Sequence, residues 1–226
     1  RNLSDNINLE NRSELYSLIA FQGPRSRDIL SEFTDVNLKM PFYSYQEGIV
    51  AGYSVMVSRT GYTGELGFEI YGDADSLVHI WDTLISVGVK PAGLAARDIL
   101  RMEMKYSLYG NEINKFTNPI EAGLSWIMNL SKDEFIGKDA LVEVKNNGLT
   151  KQLIAFTMEE RGIPRQGYKI FVDAKNVGVV TSGTQSPILK KGIGLAYVEC
   201  PFHKSDQIIF INIRDQFIPA RIIKPP

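Results

Sequence analysis

The chain has 226 residues, room for one large domain or two modest ones, with 25 Lys and Arg against 26 Asp and Glu and a formal net charge of −1. Hydrophobic residues make up 44% and charged residues 23%, ordinary globular values that exclude collagen-like, coiled-coil and disordered classes. The near-neutral balance argues against a general nucleic-acid binder, and no apolar run approaches the ~20 residues of a membrane helix.

Residues 1–12 are polar and Asn-rich and read as a connecting segment. With Arg1 in place of an initiator Met and no apolar leader, the chain is expected to be a piece of something longer. Leu18-Ile19-Ala20-Phe21, stopped by Gly23-Pro24, predicts a buried strand, and residues 24–33 predict a helix with Ile29, Leu30 and Phe33 on one side. Strands follow at Gly48–Tyr53, Ser54–Ser58 and Leu66–Tyr71, where Val55/Val57 and Phe68/Ile70 alternate with the period of a half-buried strand. The clearest helix is 74–87, with Leu77, Ile80, Trp81, Leu84 and Ile85 in one stripe, Asp73 as its cap and Gly88 just past its end. A second helix is predicted over Leu94–Lys105, and Asn118-Pro119-Ile120-Glu121 carries the cap, proline and glutamate of a short third one. After about Thr150 short β-like runs succeed one another: 152–157, 168–172, 178–181, 193–198, 208–213 and 218–223. Turn residues such as Asp173-Ala174-Lys175-Asn176 and Asp215-Gln216 separate them, the pattern of a small barrel or sandwich. The boundary between the two regions is expected in Lys145-Asn146-Asn147-Gly148.

Several chemistries have no motif here: no Gly-x-Ser-x-Gly elbow, no Cys-x-x-Cys, no His-Glu-x-x-His, and no Lys-Ser/Thr ending that would turn Gly61–Gly64 into a phosphate loop. Cys200, His79 and His203 are too few and too scattered for a structural zinc site, and each reads as an ordinary surface or half-buried side chain. Two segments stand out. In Ser58–Ile70, Gly61, Gly64 and Gly67 mark a tight passage between strands, Tyr62 offers an aromatic platform, and Glu69 points away from its apolar neighbours, where a lone carboxylate ordinarily meets water. In Pro91–Glu103, small residues open a helix and Arg97 sits in its first turn, against the dipole. That position fits either an anionic or carbonyl partner or a surface ion pair, and Asp98–Arg101 is an available pair of that kind.

Ser58-Arg59-Thr60-Gly61-Tyr62-Thr63-Gly64-Glu65-Leu66-Gly67-Phe68-Glu69-Ile70 resembles the signature of the aminomethyltransferase, or T protein, family of the glycine cleavage system. Leu108–Ile113 with Pro119–Leu124, then Thr181–Pro187, then Ile193–Val198 resemble the same family in the same order, so the likeness runs from about Leu18 to the end. The resemblance implies an α+β fold, with folate-binding α/β domains (residues 1–147) followed by a small C-terminal β-barrel (148–226). It implies transfer of the one-carbon unit from an aminomethyl group on the lipoyl arm of H protein to tetrahydrofolate, with release of ammonia. Tetrahydrofolate is then a substrate and lipoylated H protein a partner. No nucleic acid, membrane or metal is expected, and the location is the cytoplasm, or the mitochondrial matrix in a eukaryote.

The resemblance also changes the reading of single residues. It makes Glu69 the acid that accepts the two parallel donors of a pterin edge, gives Arg97 a folate carbonyl or carboxylate, and makes Tyr62 and Tyr106 aromatic walls. Trp126 is a further wall by the same likeness, and Glu65 is left as a structural carboxylate. The family's aspartate beside the folate amine matches neither Asp5 nor Asp28, so no catalytic residue is assigned. The chain alone, read as a C-terminal portion, is expected to have negligible turnover. Lys190-Lys191 and Arg161–Arg165 are basic candidates for meeting an acidic carrier, although solvated surface charge is the favoured reading. Two other functions remain open on the same fold: a non-transferring folate-binding accessory protein, and the folate domain of a sarcosine or dimethylglycine dehydrogenase.

Overall fold

A computed structural model describes residues 7–224, so Asp5 and the start of the polar leader lie outside the described residues. The chain forms two compact units, one up to Leu94 and one from Ala95 onward. Both contain helix and strand, and the second contains a closed barrel, giving the α+β class.

The first unit is an antiparallel sheet backed by helix. β1 (Ser17–Gln22) leads through Gly23 into α1 (Ser26–Leu30), and then come β2 (Tyr45–Val50), β3 (Tyr53–Ser58), β4 (Gly67–Gly72) and α2 (Ala74–Ser86). The strand order is β1-β4-β3-β2. Side chains alternate along β1, so Ile19 and Phe21 turn to the core, and Leu18, expected to be buried, is 50% exposed. The predicted strand 48–53 is interrupted. Ala51 (φ 49°) and Gly52 (φ 89°) form a two-residue hairpin loop that pairs Val50 with Tyr53.

Helix α2 forms where expected: Asp73 accepts the Ser76 N–H at 2.9 Å, and Gly88 (φ 88°) follows the last turn. Leu77, Ile80 and Leu84 are buried against Val55, Val57, Phe68 and Ile70, each worth roughly 1.5–3 kcal/mol of burial. Trp81, placed on the same stripe by periodicity, lies at its margin and is 43% exposed.

The second unit opens with α3, whose bounds Leu94–Glu103 include the last residue of the first unit. The predicted helix at Asn118 is a single turn: Asn118 Oδ1 accepts the Ile120 and Glu121 N–H groups, and Gly123 (φ 71°) closes it at once. Residues 145–148, where the boundary is expected, hold the last turn of α4 (Lys138–Asn147), which ends at Gly148 (φ 80°). The barrel follows: β5 (Lys151–Met158), β6 (Lys169–Val172), β7 (Lys175–Gln185), β8 (Gly192–Glu199), β9 (Ile208–Ile213) and β10 (Gln216–Ile223), closed in the order β10-β5-β8-β7-β6-β9. Its interior is filled by Ile154, Phe156, Val180, Val198, Ile209, Ile211 and Ile222, among others. No helix among the described residues is long and apolar enough to cross a membrane, and no group of three or more His, Cys, Asp or Glu among them is placed to hold a metal ion.

Candidate functional site

In the first unit the chemistry collects on the sheet face opposite α2. The loop from Ser58 to Gly67 is tied down by Gln22 at the end of β1. Its Nε2 donates to the carbonyls of Thr60 (3.2 Å) and Phe68 (3.0 Å), and its Oε1 accepts from Thr63 Oγ1 at 3.4 Å. This explains the glycine spacing. A Cβ on Gly61 or Gly67 would fall on the Gln22 amide and displace those bonds, and Gly64 takes φ 78° at the loop tip. At the far end of the loop the Leu66 carbonyl accepts the Gly23 N–H (2.8 Å) and the Oγ of buried Ser26 (3.0 Å).

Glu69 stands on β4 directly across from Ser58 of β3, half-buried. Thr60 Oγ1 donates to Glu69 Oε2, and Tyr71 OH donates to the same oxygen at 3.3 Å. Ser58 Oγ lies 2.6 Å from Thr60 Oγ1. Burial first, and the Glu69 charge second, hold the Tyr71 phenol above its ordinary pKa. The carboxylate expected on a water-facing strand surface therefore sits among three hydroxyls. Register makes these partners readable in hindsight, since Ser58, Glu69 and Tyr71 share one face by strand pairing. Tyr62 is half-buried on the same loop, and Glu65 is exposed near its tip.

In the second unit, Arg97 lies in the first turn of α3 and is exposed, while Tyr106 follows the helix C-terminus and is half-buried. The four expected ligand residues thus divide between the units, Tyr62 and Glu69 in one, Arg97 and Tyr106 in the other. Trp126 is 69% exposed, and Asp28, Lys190, Lys191, Arg161 and Arg165 are exposed.

The Asp98–Arg101 pair exists, with Nε to Oδ1 at 2.8 Å, but it is not a surface pair: Arg101 is fully buried. Its Nη1 donates to Glu112 Oε2 (2.7 Å) and to the Tyr106 carbonyl (3.1 Å), and its Nη2 donates to Ser182 Oγ (2.7 Å). Glu112 Oε1 accepts from Thr181 Oγ1 and Ser182 Oγ, both at 2.6 Å, while the Leu108 N–H reaches Oε2 and Tyr197 OH reaches the Glu112 carbonyl, each at 2.9 Å. Adjacent strand residues ordinarily point to opposite faces. A bulge in β7 between Val180 and Ser182 lets two consecutive hydroxyls meet one carboxylate. Farther along, buried Ser186 donates to Glu103 Oε1 at 2.6 Å. The motifs at 91–103, 108–113 and 181–187 therefore converge on one buried network that fastens the segment carrying Arg97 and Tyr106 to the barrel. Only the spacing of those motifs, with a glutamate in a Gly-Asn-Glu turn, hinted at it.

Cys200 is half-buried, and burial pushes its thiol pKa up, which leaves it a poor nucleophile at neutral pH. Burial pushes the Lys105 ammonium pKa down.

Comparison with known proteins places these features in a family. Residues 1–132 match the GCVT N-terminal domain, and residues 151–226 match the glycine cleavage T-protein C-terminal barrel domain. An aminomethyltransferase of Halothermothrix orenii is 44% identical over all of this chain and 64% of its own length. One of Chloroherpeton thalassium is 48% identical over 98% of this chain and 63% of its own length. The crystal structure of glycine cleavage system aminomethyltransferase T from Bartonella henselae superposes with a TM-score of 0.85 at 29% identity, covering 93% of this chain and 59% of that one. The chain thus spans about 63% of the length of such curated relatives. With the sheet unit and the barrel each matched in sequence, the chain belongs to the glycine cleavage T-protein family.

Proposed function

We propose that this chain provides the folate-binding part of an aminomethyltransferase of the glycine cleavage system. The protein would move the one-carbon unit from the aminomethyl-lipoyl arm of H protein to tetrahydrofolate and release ammonia. The observation that carries the reading is the half-buried Glu69 carboxylate, oriented by hydroxyls beside a loop of the family's sequence. A reduced pterin presents an exocyclic amine and a ring N–H side by side. A carboxylate meets both with charge-assisted, geometrically strict bonds. Tyr62 and Tyr106 supply aromatic faces for the ring, and the planar fork of Arg97 suits a folate carbonyl or carboxylate.

In this reading residues 1–147 serve folate binding and 148–226 form the barrel domain. Its location is the cytoplasm, or the mitochondrial matrix in a eukaryote. The residues named bind and orient the folate; none is assigned the proton transfers. The relatives compared above are named aminomethyltransferases, which favours the transfer reading over an accessory folate-binding protein or a dehydrogenase domain.

Calorimetric titration with tetrahydrofolate tests the assignment. Saturable one-site binding is expected, with Glu69→Ala weakening it about a hundredfold, as for loss of a buried charge-assisted pair. A chain that binds no reduced folate, or a Glu69→Ala variant that binds as the parent does, overturns it.

A further inference from the structure

Glu69 has three rotatable side-chain bonds, and a carboxylate free to turn must be immobilised when a ligand arrives, at a cost in affinity. Here the immobilisation is built in. A carboxylate oxygen only accepts, so Thr60 and Tyr71 both donate to Oε2. With the Thr60 proton committed there, its oxygen is the acceptor for Ser58, which is 8% exposed and lies across the strand pair from Glu69. Gln22 holds the Thr60 carbonyl from the other side at 3.2 Å, which fixes the residue that donates. Two hydroxyls converge on Oε2, and the third steadies one of them.

We propose that Thr60, backed by Ser58, and Tyr71 are positioning residues that hold the Glu69 carboxylate through Oε2 and so fix the plane in which it meets the donor pair of a pterin. The proposal rests on the reading that Glu69 receives the pterin, and it adds the device that selects for that donor pair. Tyr71 carries the smaller share, because its bond is long at 3.3 Å.

The test is calorimetric titration of the whole chain with 5-formyltetrahydrofolate, which resists oxidation, and with its 2-desamino-2-methyl analogue, which lacks the exocyclic donor. Thr60→Val is expected to weaken the first ligand about tenfold, Thr60→Ser to restore it to within about twofold, and Tyr71→Phe to weaken it about threefold. The analogue keeps the ring N–H, so Thr60→Val is expected to weaken it by less, about two- to threefold. Parent-like binding of 5-formyltetrahydrofolate by Thr60→Val, alongside a large loss in Glu69→Gln, overturns the positioning role and leaves the Glu69 reading standing. Parent-like binding by Glu69→Gln overturns that reading itself. Equal weakening of both ligands by Thr60→Val shows a general structural role and overturns the proposal. If Thr60→Val does not melt as a folded protein, Tyr71→Phe and its discrimination between the two ligands decide the matter.

Discussion

Arg101 and Glu112 are each completely buried, and their pairing adds little net stability, because desolvating two ions offsets most of their attraction. What makes the pair tenable is its surroundings: Asp98, Tyr106, Ser182, Thr181 and the Leu108 N–H meet the remaining donors and acceptors. Such a network specifies one arrangement, since losing either ion strands the other in a low-dielectric interior. Tyr197 adds its hydroxyl through the Glu112 carbonyl, and its pKa is raised to about 12, by burial first and then by the charges of Glu121 and Glu112. The folded pKa lies above the ordinary value of about 10, so this residue's contribution to stability is complete below about pH 10. It is lost as pH rises through about 12. Tyr197→Phe cannot ionise there. It should be less stable than the parent by about 1 kcal/mol at pH 7, from the lost hydrogen bond. The gap in melting temperature should then close as pH climbs above about 10. Melting curves collected from neutral to strongly alkaline pH check this; a constant gap would mean that the ionisation is uncoupled from folding.

At the scale of elements, the hairpins show where the chain carries local strain. The β6–β7 turn places Asp173 at φ 48° and Ala174 at φ 63°, and the β9–β10 turn places Arg214 at φ 51° and Asp215 at φ 63°. Two consecutive left-handed residues make the loop whose twist matches antiparallel strands, and a Cβ in that region costs about 1–2 kcal/mol relative to glycine. Ala174 is exposed, so its methyl group has no packing role to offset the strain. Ala174→Gly creates the favoured Asp-Gly pair, and after the larger unfolded-state entropy of glycine is subtracted it should gain about 0.5–1 kcal/mol. Scanning calorimetry should show the melting temperature about 1–3 °C higher, with ligand binding unchanged. Ala174→Val should lower it, because a β-branched residue is the least tolerant of that backbone.

Across the whole molecule, what could be read from sequence was what neighbouring residues decide among themselves. Helix α2 was legible from the Asp73 cap and a 3.6-residue apolar stripe, and the barrel strands from period-two runs between turn residues. Helix α4 was not, because it buries none of its residues and so carries no apolar stripe. The hydroxyl cage of Glu69 and the burial of Arg101 were hidden for another reason. Their partners lie far along the chain, Thr60 nine residues from Glu69 and Ser182 eighty-one from Arg101, and only strand register or a bulge brings them together. The barrel is the extreme of such non-local dependence. Strand β10 bridges β5 and β9, and without it both become open edges over an interior holding Phe156, Met158, Ile209 and Ile211. Ending the chain after Arg214 removes that one strand and also Ala220 and Ile222 from the interior. The shortened chain is expected to self-associate through its exposed edges and to lose cooperative melting of the barrel, read by size-exclusion chromatography and circular dichroism. A monomer that melts with the parent's cooperativity would show that five strands suffice and that ring closure is dispensable.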